Sequence, residues 1–315
     1  MQQRPLGKSI QISPLVLGGN VFGWTADEKT SFAILDRYAD GGFTAIDTAD
    51  VYSRWVPGHQ GGESERIIGN WLKRRGGRDR MVIVTKVGSD MGGDRKGLSA
   101  RYIPQAIDAS LGRLQTDYVD VYLSHFPEPT VPYEETLGAY QQLVTAGKVR
   151  EIGASNLNAA QLRESLDVAR AKGLPRYGIL QPEYNLYDRG SFEGALRDLT
   201  TAEHIAVITY FSLAKGFLTG KYRTPADLGQ SPRGAAAKAY MNERGTRILA
   251  ALDEVAARHQ AQPGEIAIAW LIAQPGVTAP IASATSVPQV ESLVRAASIA
   301  LSSSDIAQLD EASRM

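Results

Sequence analysis

Cysteine is missing from all 315 residues, which excludes disulfides, thiolate nucleophiles and zinc-thiolate sites and leaves any redox chemistry to a bound cofactor. A charge excess is missing too, because 34 Lys and Arg stand against 34 Asp and Glu. Such a balance attracts neither nucleic acid nor an anionic membrane surface. No stretch approaches the roughly 18 uninterrupted apolar residues of a membrane span, and the opening MQQRPLGKSIQIS has no apolar signal core. The expectation is a soluble, cytoplasmic protein without a nucleic-acid, membrane or metal partner, acting on a small molecule as a monomer or homo-oligomer.

What the chain has is a rhythm. Eight short runs rich in Val and Ile (PLVLGG, FTAID, MVIVTK, YVDVYLSH, VREIGAS, GILQPEY, IAVITY and GVTAPIA) alternate with segments of helical spacing such as Ile103, Ile107, Leu111 and Leu114. Strands apolar on both faces and separated by helices form a parallel sheet, and eight repeats favour a closed α/β barrel, the (β/α)8 or TIM barrel. Ser99 and Asn158 are placed as helix N-caps, with Gly41, Gly147 and Gly173 as stops. No linker divides the chain, so residues 1–315 are expected to form one domain. Two segments fall outside the rhythm: LGKSIQIS, expected as a short N-terminal hairpin closing the barrel floor, and residues 216–242, a long loop after strand seven expected to act as a lid.

The chemistry-bearing residues sit where consecutive strands end: Asp47 and Tyr52 in AIDTADVY, Lys86 in VIVTK, His125 in VYLSH. Singly each has an ordinary role, as cap, loop aromatic, surface charge or core polar group. Together they crowd the carboxyl ends of strands two to four, the rim from which such barrels draw catalytic residues. Reducing a carbonyl needs a hydride at carbon and a proton at the developing alkoxide. Tyr52 can give the proton if an ammonium, Lys86, favours its phenolate, with Asp47 accompanying the buried cation and His125 orienting the carbonyl oxygen.

The segments FTAIDTADVY, VIVTK, DVYLSHFPEP, VREIGASN, LQPEYNLYDR, ITYFSLAKGFLTGKYR and AIAWLIAQPGVTAPIASATS, in that order, resemble the aldo-keto reductases over nearly the whole chain. The resemblance implies a (β/α)8 barrel that reduces aldehydes or ketones with NADPH, NADH being the alternative, by transfer of the pro-R hydride, and it maps the catalytic tetrad onto Asp47, Tyr52, Lys86 and His125. Around the coenzyme it points to Gly19, Asn20 and Asp47 near the reacting end. Ser155, Asn156 and Gln181 match the donors and acceptor of a nicotinamide carboxamide, and Tyr210 can stack on its ring. SLAKGFLTGK offers Ser212, Leu213, Lys215, Gly216 and Lys221 to the pyrophosphate. No G-x-G-x-x-G or Walker run is present.

Two departures stand out. Phe211, expected to touch the coenzyme, occupies a position where relatives often have Ser, and at the adenosine end, where Ser283, Thr285 and Gln289 are the expected contacts, Thr285 stands where many relatives have Arg or Ser and Leu293 where they have Asn. Ser283 and Thr285, with Ser286 as a third hydroxyl, are then expected to bind the 2′-phosphate. Trp24, Trp55, Phe126 and Tyr187 are expected at the substrate mouth, an aromatic collar suited to an apolar or ring-bearing carbonyl or alcohol. His59, His204 and His259 carry no expected chemistry, and Trp71 and Trp270 belong to the core. Two other functions stay open: a nicotinamide-binding regulatory subunit with little turnover, as in the potassium-channel β subunits that resemble this family, and a Schiff-base aldolase using Lys86.

Overall fold

The computed structural model describes residues 2–232 and 234–314, so one residue of the 216–242 loop, Arg233, and both terminal Met residues lie outside the described residues. Each of the eight Val/Ile runs forms a strand: β3 (Val16–Gly18), β4 (Ala45–Asp47), β5 (Val82–Val87), β6 (Val119–Ser124), β7 (Val149–Ser155), β8 (Ile179–Gln181), β9 (Ala206–Thr209) and β10 (Ala279–Ala282). They pair in parallel and close into a barrel in the order β10-β3-β4-β5-β6-β7-β8-β9. Alternation along these strands explains why both faces are apolar. Val16, Ala45, Val84, Val121, Ile179 and Ile208 fill the interior, while Leu17, Ile46, Ile83, Tyr122, Leu180 and Val207 face the surrounding helices.

Those helices are α1 (Glu28–Asp40), α2 (Glu63–Arg75), α3 (Tyr102–Leu114), α4 (Tyr133–Thr145), α5 (Ala159–Lys172), α6 (Ala195–Ala202), α7 (Gly234–Ala237), α8 (Glu243–His259), α9 (Pro263–Ala273), α10 (Val287–Ala296) and α11 (Ser303–Ser313). Ile103, Ile107, Leu111 and Leu114 are the buried stripe of α3. Asn158 caps α5 in a reciprocal box with Gln161, and Gly173 ends that helix in the left-handed region. Ser99 lies two residues before the N-cap position of α3, Arg101: its hydroxyl accepts from Tyr102 N at 3.2 Å, where the regular helix starts. After α1 the left-handed residue is Gly42, not Gly41.

The N-terminal hairpin, β1 (Arg4–Leu6) with β2 (Ile10–Ile12), turns Leu6, Ile10 and Ile12 into the barrel interior. Glu151, at the start of β7, accepts from Lys8 N and Ser9 N at the hairpin turn. Arg4 donates to the carbonyls of Ile272, Val277 and Thr278. Apolar plug and charged anchors together close the floor. After β9 the chain forms a strap of short 3-10 turns at Ala214–Thr219, Pro225–Gln230 and Lys238–Tyr240, with α7 between the last two. Its far end is fastened by Tyr240, whose hydroxyl donates to Asp188 at 3.0 Å, and by Asn242, which donates to the Tyr187 hydroxyl at 2.7 Å.

Candidate active site

Parallel register brings the strand ends to one level: Gly18 pairs with Asp47, Asp47 with Val84, and Lys86 with Leu123, one residue before β6 ends. The Lys86 side chain is fully buried, and its Nζ lies 2.8 Å from the Asp47 carboxylate. Its other donations go to the Thr48 carbonyl at 2.7 Å and the Tyr52 hydroxyl at 3.0 Å, so all three ammonium protons are used. The Tyr52 hydroxyl also stands 3.3 Å from Asp47 Oδ2, and Gln181 Nε2 donates to Asp47 Oδ1 at 2.8 Å. Burial lowers the Lys86 ammonium from its usual range, with Asp47 pulling the other way.

The His125 ring centre lies 6.0 Å from that of Tyr52, and burial, reinforced by Lys86, holds its imidazole well below the usual histidine range. It is therefore neutral at physiological pH. Its Nδ1 is 3.0 Å from Ser89 Oγ, a partner that no sequence pattern indicated. Phe126 stacks on this ring at 4.7 Å and is half exposed. Trp24 and Trp55 meet edge to face at 5.6 Å, and Trp55 stands 6.2 Å from Tyr52, so the phenol is flanked by aromatic surface on the solvent side. Tyr187 is away from this group, packed against Tyr240 and Arg244 at the end of the strap.

A cavity of about 1020 Å³ runs from Asp47, Tyr52, Trp24 and Trp55 past Asn20, Tyr210, Phe211, Ser212 and Leu213 to Lys215, Gly216 and Lys221, and ends among Ser283, Thr285, Gln289 and Leu293. It brings most of the expected coenzyme residues into one wall. Ser155, Asn156 and Gln181 sit at the rim beside it, linked to one another and to Tyr210: Ser155 Oγ donates to the Gln181 carbonyl at 2.7 Å, and Tyr210 OH to Asn156 Oδ1 at 2.7 Å. Gly19 lies behind the wall, where its amide donates to the Asp47 carbonyl at 2.7 Å. An added Cβ there would come 2.9 Å from Ser64 Oγ.

Phe211, Ala214 and Lys215 all adopt left-handed backbone, followed by Gly216. Each non-glycine residue costs about 1 kcal/mol in that region. The turn is closed on itself, the Ala214 amide donating to the Phe211 carbonyl at 2.7 Å and the Gly216 amide to the Leu213 carbonyl at 2.8 Å, and it sets Lys215 into the cavity wall with Lys221. Sequence reasoning missed the outer lining from Gln230, Ser231 and Pro232 of the strap and from Gln262 and Gly264 at the start of α9. The Gln262-x-x-Glu265 capping box preceding an apolar run was the available signal.

Among the described residues no group of three or more His, Asp and Glu side chains is placed to hold a metal, and no helix is long and apolar enough to cross a membrane. The model of the aldo/keto reductase family matches residues 14–314. Similar proteins include Protein tas of Escherichia coli, 31% identical over 96% of this chain and 94% of that protein. Aldo-keto reductase YhdN of Bacillus subtilis is 33% identical over 94% of this chain and 87% of its own. A probable voltage-gated potassium channel subunit beta of Oryza sativa is 33% identical over 92% and 89%. With a rim tetrad, a long cavity beside it and a match that spans the barrel from β3 to α11, the chain belongs to the aldo/keto reductase family.

Proposed function

We propose that this oxidoreductase reduces an aldehyde or ketone to an alcohol with hydride from NADPH, NADH serving as the alternative donor. The observation that carries the proposal is the Tyr52 hydroxyl held 3.0 Å from a buried ammonium at the inner end of a cavity of about 1020 Å³, room enough for a dinucleotide. The lining fits that cofactor. Asn156, Ser155 and Gln181 at the rim suit the carboxamide and Tyr210 the ring face. Ser212, Leu213, Lys215, Gly216 and Lys221 suit the pyrophosphate, Asn20 and Ser283 the ribose side, and Thr285 and Gln289 the adenosine end. When bound, the coenzyme supplies the hydride.

The chain's own residues do the rest. Tyr52 donates its proton to the oxygen of the reduced carbonyl. Lys86 stabilises the phenolate left behind, since an ammonium at hydrogen-bond distance favours the negative form. Asp47 keeps Lys86 charged in a site where burial alone would neutralise it. Neutral His125 donates a hydrogen bond to the carbonyl oxygen, and Trp24, Trp55 and Phe126 cover the substrate and exclude water. Lys86 is committed to Asp47, Thr48 and Tyr52, which opposes its use as a Schiff-base nucleophile.

The test is turnover of NADPH and of NADH with an aromatic aldehyde, comparing the wild type with Tyr52→Phe. Loss of reduction with retained coenzyme binding supports the proposal; full activity in the variant rejects it. A second reading, a nucleotide-binding regulatory subunit, is favoured by the similarity to the channel β subunit. It predicts bound nucleotide with negligible turnover across a broad carbonyl panel.

A further inference from the structure

Behind the Lys86–Asp47 pair lies a second set of buried charges that the proposed reaction does not use. Asp50 is 2% exposed, and no side chain donates to either of its carboxyl oxygens. Its amide donates to the Lys86 carbonyl at 3.4 Å, which fixes the residue against the end of β5. Glu65 of α2 is fully buried as well, accepting from Thr85 Oγ1 and from Arg113 Nε, each at 2.6 Å.

The cluster therefore contains two matched pairs, Lys86 with Asp47 and Arg113 with Glu65, and one carboxyl without a match. Burial, with the Glu65 carboxylate next, pushes the Asp50 carboxyl up to about 8 against the opposing pull of Arg113, the Val51 amide and Lys86. The remaining titratable groups within its field are Tyr102 of α3, Tyr122 of β6 and Tyr140 of α4, whose phenols are all held above their usual range, burial being the largest cause. They stay neutral while Asp50 titrates.

We propose that Asp50 is a positioning residue acting on Tyr52 through Lys86: as a neutral acid it leaves the ammonium field to Asp47 and the Tyr52 hydroxyl, and on ionising it competes for that field and opposes negative charge on Tyr52. Proton donation by Tyr52 is then strongest while Asp50 keeps its proton. The assignment rests on the proposed role of Tyr52 as proton donor, so the test includes a readout that needs no turnover.

In the coenzyme-free full-length protein, phenolate formation at Tyr52 is followed by ultraviolet difference spectroscopy against Tyr52→Phe, in the wild-type and Asp50→Asn backgrounds. The expected result is that Tyr52 ionises about one pH unit lower with Asn at position 50. Coincident titrations overturn the proposal. In the pH profile of kcat for carbonyl reduction, the wild-type rate falls about tenfold through about pH 8 as Asp50 ionises, before the further fall that ionisation of Tyr52 brings in both proteins, and Asp50→Asn shows the Tyr52 fall alone. Two successive falls in the variant overturn it as well. Asp50→Leu, which also cannot ionise, replaces the Asn variant if that protein does not fold, with the same expected shifts. Infrared spectroscopy of the wild type alone gives a further arm: a protonated-carboxyl band that persists at neutral pH and vanishes through about pH 8 is expected, and its absence rejects the neutral Asp50. Retained activity in Tyr52→Phe sinks the reductase proposal instead, and the difference titration still decides the case for Asp50.

Discussion

At the inner end of the cavity Asp47, Lys86 and Gln181 are each at most 2% exposed and hydrogen-bonded to one another or to Tyr52. At the outer end Lys221 and Gln289 are exposed, Thr285 is half-buried, and the wall is shared between a strap of short turns and the first turn of two helices. The inner end is built on strands whose register leaves no freedom; the outer end is built on connections. A proton donor needs sub-ångström placement, which the strand-borne Asp47 and Lys86 provide by holding the hydroxyl of Tyr52 in the turn after β4, whereas a charged phosphate tolerates and even benefits from adaptable cations. Substitutions at the two ends should accordingly differ in kind as well as in size.

Tyr52→Phe should show the largest effect, lowering kcat by about 10²- to 10⁴-fold with little change in coenzyme affinity, measured by steady-state kinetics and fluorescence titration. Lys86→Met leaves the Asp47 carboxylate buried without its cation and should cost roughly 3–5 kcal/mol of stability in denaturant unfolding, besides activity. If that variant unfolds like the wild type, the inner end is not held by its ion pair and the contrast fails.

Asp50→Asn should act in the opposite direction and only as pH rises. The folded carboxyl is raised above its unfolded value, so the wild type is favoured at acid pH and loses stability as pH climbs from about 4 through about 8, by about 1.4 kcal/mol per unit. Asn does not titrate, so the variant gains on the wild type across that window. Urea midpoints at pH 5 and pH 8 decide it, and a constant difference would place the Asp50 proton elsewhere. Smallest of all, Lys221→Ala should raise the coenzyme KM by about three- to tenfold, more at low salt than at high, with kcat nearly unchanged.

Most of this division is legible in the sequence. Runs such as VIVTK and VYLSH announce strands buried on both faces, and a barrel fixes which end of each run points to the rim, so Asp47, Lys86 and His125 could be grouped from their positions alone. Tyr52 could be added because it follows Asp47 by one short turn. Asp50 could not: its lack of a side-chain donor depends on how α2 and α3 pack Glu65 and Arg113 against each other, a contact between residues 48 apart in the chain. Its place after β8 points Tyr187 to the substrate mouth, yet the strap returns to cover it through Tyr240 and Asn242. Sequence periodicity carries no information on where a strap lands. Nor could it show that Phe211 adopts left-handed backbone, since a bulky residue is the last to be expected there.

The plugged floor has a kinetic consequence. With Leu6, Ile10 and Ile12 seated in the base and the interior filled above them, the barrel is a blind well. Whatever binds must therefore enter and leave on the carboxyl-end face, along the cavity that runs from Trp24 and Trp55 to the exposed Lys221 and Gln289, and that restriction is imposed by a hairpin at the opposite end of the protein from the chemistry.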